Sequence, residues 1–395
     1  VTHPARTSSN EPGPPGATRP LIVLGDPGEP IARTVLDAPG GFAWWYLDAL
    51  DAQGDGLVLI WSFGLPFLPG YLDGARRGRG QRAAARPSLN LALYRRGRPT
   101  FYLLQEYAEA EATWTVEPGP DGSRRERWTL GATTIEGVRS AERVQLSIDL
   151  DCPLPRTAAR LVGTIDLEGP AARASRLAPA DTLDHHWSPQ AGPSRCRAAL
   201  HTGAGAPFTF EGDAYHDRNA SLRPFSQLGI ERWVWGRRVD EAATTAWYVL
   251  WPEGEAQAPV AWVVRLARDG ALTVEEDVPL ELGPRRRAAF GMHLHPELRL
   301  APRDQAPLEV SVEQIVDDGP FYLRVLDRTR QGDQERLGWG EWVRPDRVDL
   351  ARHRSLVRMR VHRTFGGNSF WLPLFAGPSE GRLRRLLGLE RGGAR

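Results

Sequence analysis

An all-β fold, two antiparallel barrels or sandwiches in tandem, is what this chain predicts from three observations. Short runs of mainly alternating apolar and polar residues recur along it, and glycine (41) and proline (33) punctuate its 395 residues. No long stretch with a 3.6-residue apolar period interrupts the series, which argues against a parallel α/β fold. A single sandwich holds about 100 residues, and single cores stop growing well before this length, so two cores account for the chain better than one.

The elements follow in order. Residues 1–20 are rich in Pro, Ser and Gly and lack an apolar h-region, so they read as a disordered lead-in rather than a signal peptide. Leu57–Phe63, Leu89–Tyr94, Val144–Leu150 and Arg160–Leu167 read as strands, each ended by Gly, Pro or charged turns. The pattern returns at Thr245–Trp251, Val260–Leu266, Leu308–Val312 and Tyr322–Leu326. The weakest stretches between the two series are Gly169–Pro179 and the turn Gly203–Pro207. The expected division is therefore a first β domain over 21–190 and a second over 191–376. From Gly377 onward a basic and apolar tail, with Arg382–Leu389 at its centre, predicts a short helix. It packs on its own domain or lies on a membrane surface, since arginines beside leucines suit an interfacial helix.

Composition removes several function classes. Hydrophobic content of 41% with 25% charged residues reads as soluble and globular. A net charge of +1 provides no basic field for nucleic acid. All 50 basic residues are arginine, so Schiff-base and P-loop lysine chemistry are excluded. Cys152 and Cys196 form neither a metal pattern nor a disulfide framework. No apolar run approaches the roughly 20 residues of a spanning helix, and a reducing cytoplasmic setting fits, with peripheral membrane contact open. Glycine runs such as Gly366-Gly367 lack the strand-and-helix context of a dinucleotide site.

The densest chemistry lies in Asp213-Ala-Tyr-His-Asp-Arg-Asn219, followed by Trp233-Val-Trp-Gly-Arg237. In an extended segment Tyr215 and Asp217 share one face and His216 takes the other. A carboxylic acid kept protonated by an apolar pocket can give its proton to carbon, and Tyr215 can hydrogen-bond that acid or face a developing cation. The competing structural reading is a turn, with Asp217 capping backbone N–H groups and Asn219 in a tight conformation. By the same periodicity His185 and Trp187 share a face, a base beside an aromatic wall. Adjacent His185 and His186 diverge along a strand and do not make a zinc site, and His201, His293 and His295 show no ligand spacing with them. The 14 tryptophans read mostly as core, although an aromatic lining also suits a polyene and a carbocation. Arg237 reads as a salt-bridge residue.

Gly41-Phe-Ala-Trp-Trp-Tyr-Leu-Asp-Ala-Leu50, His185-His-Trp-Ser-Pro189, Asp213–Asn219, Trp233–Arg237 and Trp339-Gly-Glu-Trp-Val-Arg-Pro345 together resemble the carotenoid 1,2-hydratase family, in the same order from about Gly40 to Arg360. The resemblance implies tandem lipocalin-like domains, in a superfamily that includes tocopherol cyclases and pericyclase-like cyclases. It implies Asp217, His185, Tyr215 and Trp187 as catalytic residues, with no cofactor and no metal. It also implies hydration of the terminal C1–C2 double bond of lycopene, neurosporene or a 1-hydroxy derivative, in a photosynthetic bacterium's carotenoid pathway. Related cyclases carry Trp-Gly after the Asn where this chain has Ala220-Ser221, which favours the hydratase branch. The partners expected are a long hydrophobic polyene and water. Two alternatives stand beside this: a cofactor-free terpenoid cyclase or isomerase, and a non-catalytic carrier of a hydrophobic ligand. In every case the site is expected at or near the junction of the two halves.

Overall fold

The computed structural model describes residues 21–119, 121–174, 185–203, 205–254 and 258–378. Within them the chain is mostly β. Every expected strand lies inside an observed one: Gly56–Phe63, Pro87–Arg95, Arg143–Pro153, Arg160–Pro170, Ala243–Pro252, Val260–Ala267, Leu308–Asp318 and Tyr322–Gln331. The expected lead-in over residues 1–20 and the tail helix over 382–389 fall outside the described residues.

Two large sheets organise the molecule. The first has Phe42–Leu50, Phe208–Ser221 and His186–His201 at its centre and runs outward from them in both directions. The second is a near-continuous antiparallel meander of ten strands around Ile230–Val239 and Gln334–Val343. Each path ends in two edge strands that do not pair with one another, so the described residues form curled, open sheets rather than closed barrels. His186–His201 and Phe208–Ser221 both lie in the first sheet, while the ten-strand sheet takes Arg173–Ala174 and otherwise strands from Ile230 onward.

Strand alternation divides the apolar residues among three cores. In Phe42–Leu50, residues Ala43, Trp45, Leu47 and Ala49 fill the concave side of the first sheet, where Trp45, Trp61, Trp114 and Trp128 pack edge-to-face and stacked. Their neighbours Phe42, Trp44 and Tyr46 point the other way. The second sheet repeats the division: Val234, Trp247, Val249 and Trp342 fill its own interior, while Trp233, Trp235, Tyr248 and Trp339 face the first sheet. The two sheets thus pack back to back through an aromatic layer, which is why central strands such as Phe42–Leu50 are buried along their whole length. Gly236 serves this packing, because a Cβ there would lie 2.3 Å from the Trp247 ring.

Polar ties cross the layer. Arg237 of the second sheet donates two hydrogen bonds to Asp48 of the first, both residues almost fully buried. Trp339 Nε1 donates to the Ala49 carbonyl at 3.2 Å, and Arg324 reaches the Tyr94 hydroxyl at 3.3 Å while pairing with Glu341 at 2.9 Å. Buried charges require such partners. The C-terminal region adds a helix, α1 (Ala351–Arg358), and the short strand Val361–Arg363, which returns to pair in parallel with Arg98–Glu106 of the first sheet. No helix among the described residues is long and apolar enough to cross a membrane.

Candidate active site in the aromatic layer

Phe208–Ser221 lies between Phe42–Leu50 and His186–His201, with Asp217 opposite Tyr46 and Asn219 opposite both Trp44 and Trp187. These residues are strand, so the turn reading of Asp217 and Asn219 is overturned: their backbone groups are committed to two ladders. Tyr215, Asp217 and Asn219 form one row of alternate residues on the face toward the second sheet. A register irregularity between Pro189 and Ser194 bends the neighbouring strand beside this row.

Asp217 is 3% exposed. Its Oδ2 accepts hydrogen bonds from Trp187 Nε1 at 2.8 Å and from the Tyr215 hydroxyl at 2.9 Å. Its Oδ1 accepts from Asn219 Nδ2 at 3.1 Å. Among the described residues no arginine pairs with it. Burial pushes its carboxyl up to about 7, and the Trp187 and Tyr215 donors hold it back from rising further. Two donors already fill Oδ2, so a proton on this group resides on Oδ1. Burial and the neighbouring Asp217 carboxylate raise the Tyr215 hydroxyl well above its ordinary range, which keeps it a donor.

His185 joins the same network. Its Nε2 lies 2.9 Å from Asn219 Oδ1, and an amide oxygen only accepts, so Nε2 carries the hydrogen. That leaves Nδ1 as a buried acceptor with no partner among the described residues. Burial pushes the imidazole down to about 4, so the ring is neutral near pH 7. Phe42, Trp44 and Phe225 surround it with ring centroids 5.5–5.9 Å away. On the other flank of Asp217, Tyr248 meets the Trp187 ring edge-on at 4.8 Å, and Trp235 lies 5.5 Å from Tyr215 and 5.1 Å from Tyr46. The result is an acid and an unpaired acceptor, linked through one amide and enclosed by π-faces.

The four sequence candidates, Asp217, Tyr215, Trp187 and His185, converge in the aromatic layer. His216 points into the first sheet, where its Nδ1 lies 2.8 Å from the Tyr46 carbonyl and its ring stacks on Trp61. Asp213 lies near the surface with Arg195. Arg237 is the salt-bridge residue expected of it. Cys152 and Cys196 are buried free thiols. No group of histidine, cysteine and carboxylate side chains suited to a metal ion occurs among the described residues. Asn219, which joins the base to the acid, was missed as a site residue, although it is the next alternate position after Tyr215 and Asp217. Tyr46, Trp235 and Tyr248 carried no comparable signal, because Tyr46 reaches Asp217 through long-range strand pairing and Trp235 and Tyr248 through the stacking of the sheets.

The chain is similar in sequence to several known proteins. The chain is 27% identical over 333 residues to the hydroxyneurosporene dehydrogenase of Chlorobaculum tepidum, covering 78% of this chain and 84% of that protein. It is 28% identical over 334 residues to the acyclic carotenoid 1,2-hydratase of Thiocapsa roseopersicina, covering 83% and 74%. Among solved structures, an AttH-type protein of Nitrosomonas europaea overlays with a TM-score of 0.49 at 14% identity, covering 84% of this chain and 99% of that one. The family model for the carotenoid hydratase CrtC matches residues 123–369, more than half of the chain, a span that includes His185, Trp187, Tyr215, Asp217 and Asn219, and the chain belongs to that family.

Proposed function

We propose that this protein hydrates the terminal C1–C2 double bond of an acyclic carotenoid such as lycopene, neurosporene or a 1-hydroxy derivative. The observation that carries the reading is Asp217: a buried carboxyl with no cationic partner among the described residues, pushed by burial up to about 7 and set among aromatic rings. An isolated trisubstituted alkene has no carbonyl and no leaving group, so protonation is the available activation. A proton from Asp217 Oδ1 to C2 leaves a tertiary cation at C1, and the electron pair of the C1–C2 π bond becomes the new C–H bond. The rings of Trp187, Tyr215, Tyr248 and Trp235 supply negative π-faces for that cation.

Water then forms the C1–O bond. His185 Nδ1 accepts a hydrogen bond from this water and takes its proton as the bond forms. Returning that proton to Asp217 by way of solvent completes the cycle, and no net change in oxidation state occurs. Tyr215 and Trp187 keep the Asp217 carboxylate solvated after it has given up its proton, and Asn219 fixes both the acid and the tautomer of His185. The orphaned Nδ1 favours water capture over ring closure, in which a second double bond would quench the cation and no polar acceptor would be needed.

The test is incubation of purified protein with lycopene without added cofactor, followed by mass analysis in water and in heavy water. The expected product gains one water and, in heavy water, one carbon-bound deuterium at C2. A product labelled only at oxygen refutes the protonation step, an isomer of unchanged mass supports cyclase chemistry, and unchanged lycopene supports a carrier.

A further inference from the structure

Of the five large hydrophobic side chains that stand exposed on the described chain, four fall within ten residues: Phe365 (40%), Phe370 (70%), Trp371 (50%) and Leu374 (39%). Contiguous exposed apolar patches mark interaction surfaces. The segment that carries them is braced. Asn368 bonds both the N–H and the carbonyl of Arg363, at 2.7 and 3.0 Å, the Arg156 guanidinium stacks 4.8 Å from the Phe370 ring, and Gly377 bonds back to Tyr102. The aromatic side chains are held outward on a fixed loop.

Beside this patch runs a groove of about 760 Å³ between α1 and the Val361–Arg363 strand. Arg354, Arg358 and Arg363 contribute to its lining and no acidic residue does. Arg352 and Arg358 of α1 are themselves exposed. Exposed aromatic side chains beside a groove lined by arginines and by no carboxylate match the surface of a bilayer, which offers an apolar interior beneath anionic phosphates.

The groove also leads toward the site. Pro69 is part of its wall. Two residues earlier, Phe67 packs on Trp44 at 6.4 Å, on Trp233 at 6.0 Å and on Phe321 at 5.7 Å, and Trp44 is the ring against His185. Asp349, just before α1, fastens this loop through the backbone N–H groups of Gly70 and Asp73. Groove, loop and aromatic layer are thus mechanically continuous.

We propose that Phe365, Phe370, Trp371 and Leu374, together with Arg352 and Arg358, dock the protein on an anionic phospholipid bilayer. The adjoining groove is the route by which a membrane-dissolved polyene reaches the aromatic layer, a consequence that rests on the hydratase reading above. The docking itself does not depend on that reading.

The experiment is co-sedimentation of the full chain with phosphatidylcholine vesicles, with and without phosphatidylglycerol. Binding is expected to the anionic vesicles, lowered on the order of 10-fold or more in the double variant Phe370→Ser/Trp371→Ser. Arg352→Gln should weaken anionic binding by about fivefold and leave neutral vesicles unaffected. Both variants should keep the wild-type melting temperature, and both should hydrate detergent-dispersed polyene at the wild-type rate while losing rate on vesicle-dissolved polyene. Wild-type protein that stays in the supernatant, or variants that sediment like it, would overturn the proposal. So would a double variant with a lowered melting temperature and unchanged sedimentation, which would assign the patch to the chain's own 379–395 segment. Wild type inactive on detergent-dispersed polyene yet bound to vesicles would instead refute the hydratase reading and leave the docking surface intact.

Discussion

Replacing Asp217 by Asn separates acid catalysis from structure, and the hydrogen-bond network sets what should happen. The amide oxygen of the new side chain takes over the two bonds from Trp187 Nε1 and Tyr215. Its NH₂ then meets Asn219 Nδ2, so Asn219 must flip and His185 must move its hydrogen to Nδ1. Each group can do this at little cost, and the fold survives. The rate does not, because the transferable proton is gone: a loss of about 10²–10⁴-fold is expected, or roughly 3–5 kcal/mol in the barrier. Stability moves the other way. The folded carboxyl, raised from 3.8 to about 7, holds its proton to higher pH than the unfolded one. Its stabilising contribution is present below the unfolded value and lost as pH rises through about 7, a penalty of about 4 kcal/mol at pH 8. Asp217→Asn removes that penalty, so its melting temperature should exceed that of wild type at pH 8, with the gap narrowing toward pH 4.5. Paired melting curves and product yields at both pH values decide the matter. A variant that keeps activity within about threefold, or whose melting temperature follows wild type at every pH, would refute the assignment of Asp217 as the buried acid.

Further perturbations test the same network. Wild-type activity should fall above about pH 7, as Asp217 loses its proton, and below about pH 4, as His185 gains one at Nδ1; a pH–rate profile of detergent-dispersed substrate reads both limbs. Tyr215→Phe removes one donor that favours the carboxylate, so the upper limb should move to higher pH with a milder rate loss, about 10-fold, than Asp217→Asn. His185→Ala should lower turnover far more than polyene affinity, read from kcat against a fluorescence-quenching titration of the layer's tryptophans. Arg237→Met strands Asp48 in the aromatic layer and should cost about 3–5 kcal/mol in denaturant unfolding, and rescue by a further Asp48→Leu would show that the loss is the unpaired charge.

Much of this was legible in the amino-acid order because strand periodicity is local. Alternation alone places Tyr215 and Asp217 on one face, His216 on the other, and Trp44 and Trp45 on opposite sides of one strand. The same rule located eight of the strands, four in each of the two large sheets. It passed over Ala112–Pro118, Arg124–Leu130 and Thr133–Arg139, whose outward faces carry charged and hydroxyl residues and whose inward faces present few apolar residues at a time. A turn at Asp217 was compatible with local propensity, and only the pairing of that strand on both sides removed it.

What the tertiary structure alone decided is non-local. That Phe208–Ser221 lies beside Phe42–Leu50 depends on pairing two strands far apart in the chain, and local composition does not encode this. The return of Val361–Arg363 to the first sheet is of the same kind. Above all, the acidity of Asp217 is not a property of its segment. Its carboxyl rises with burial, in a layer that Trp235 and Tyr248 complete from the second sheet. Residue order determined which side chains face the layer, and the stacking of two sheets determined that the layer is dry.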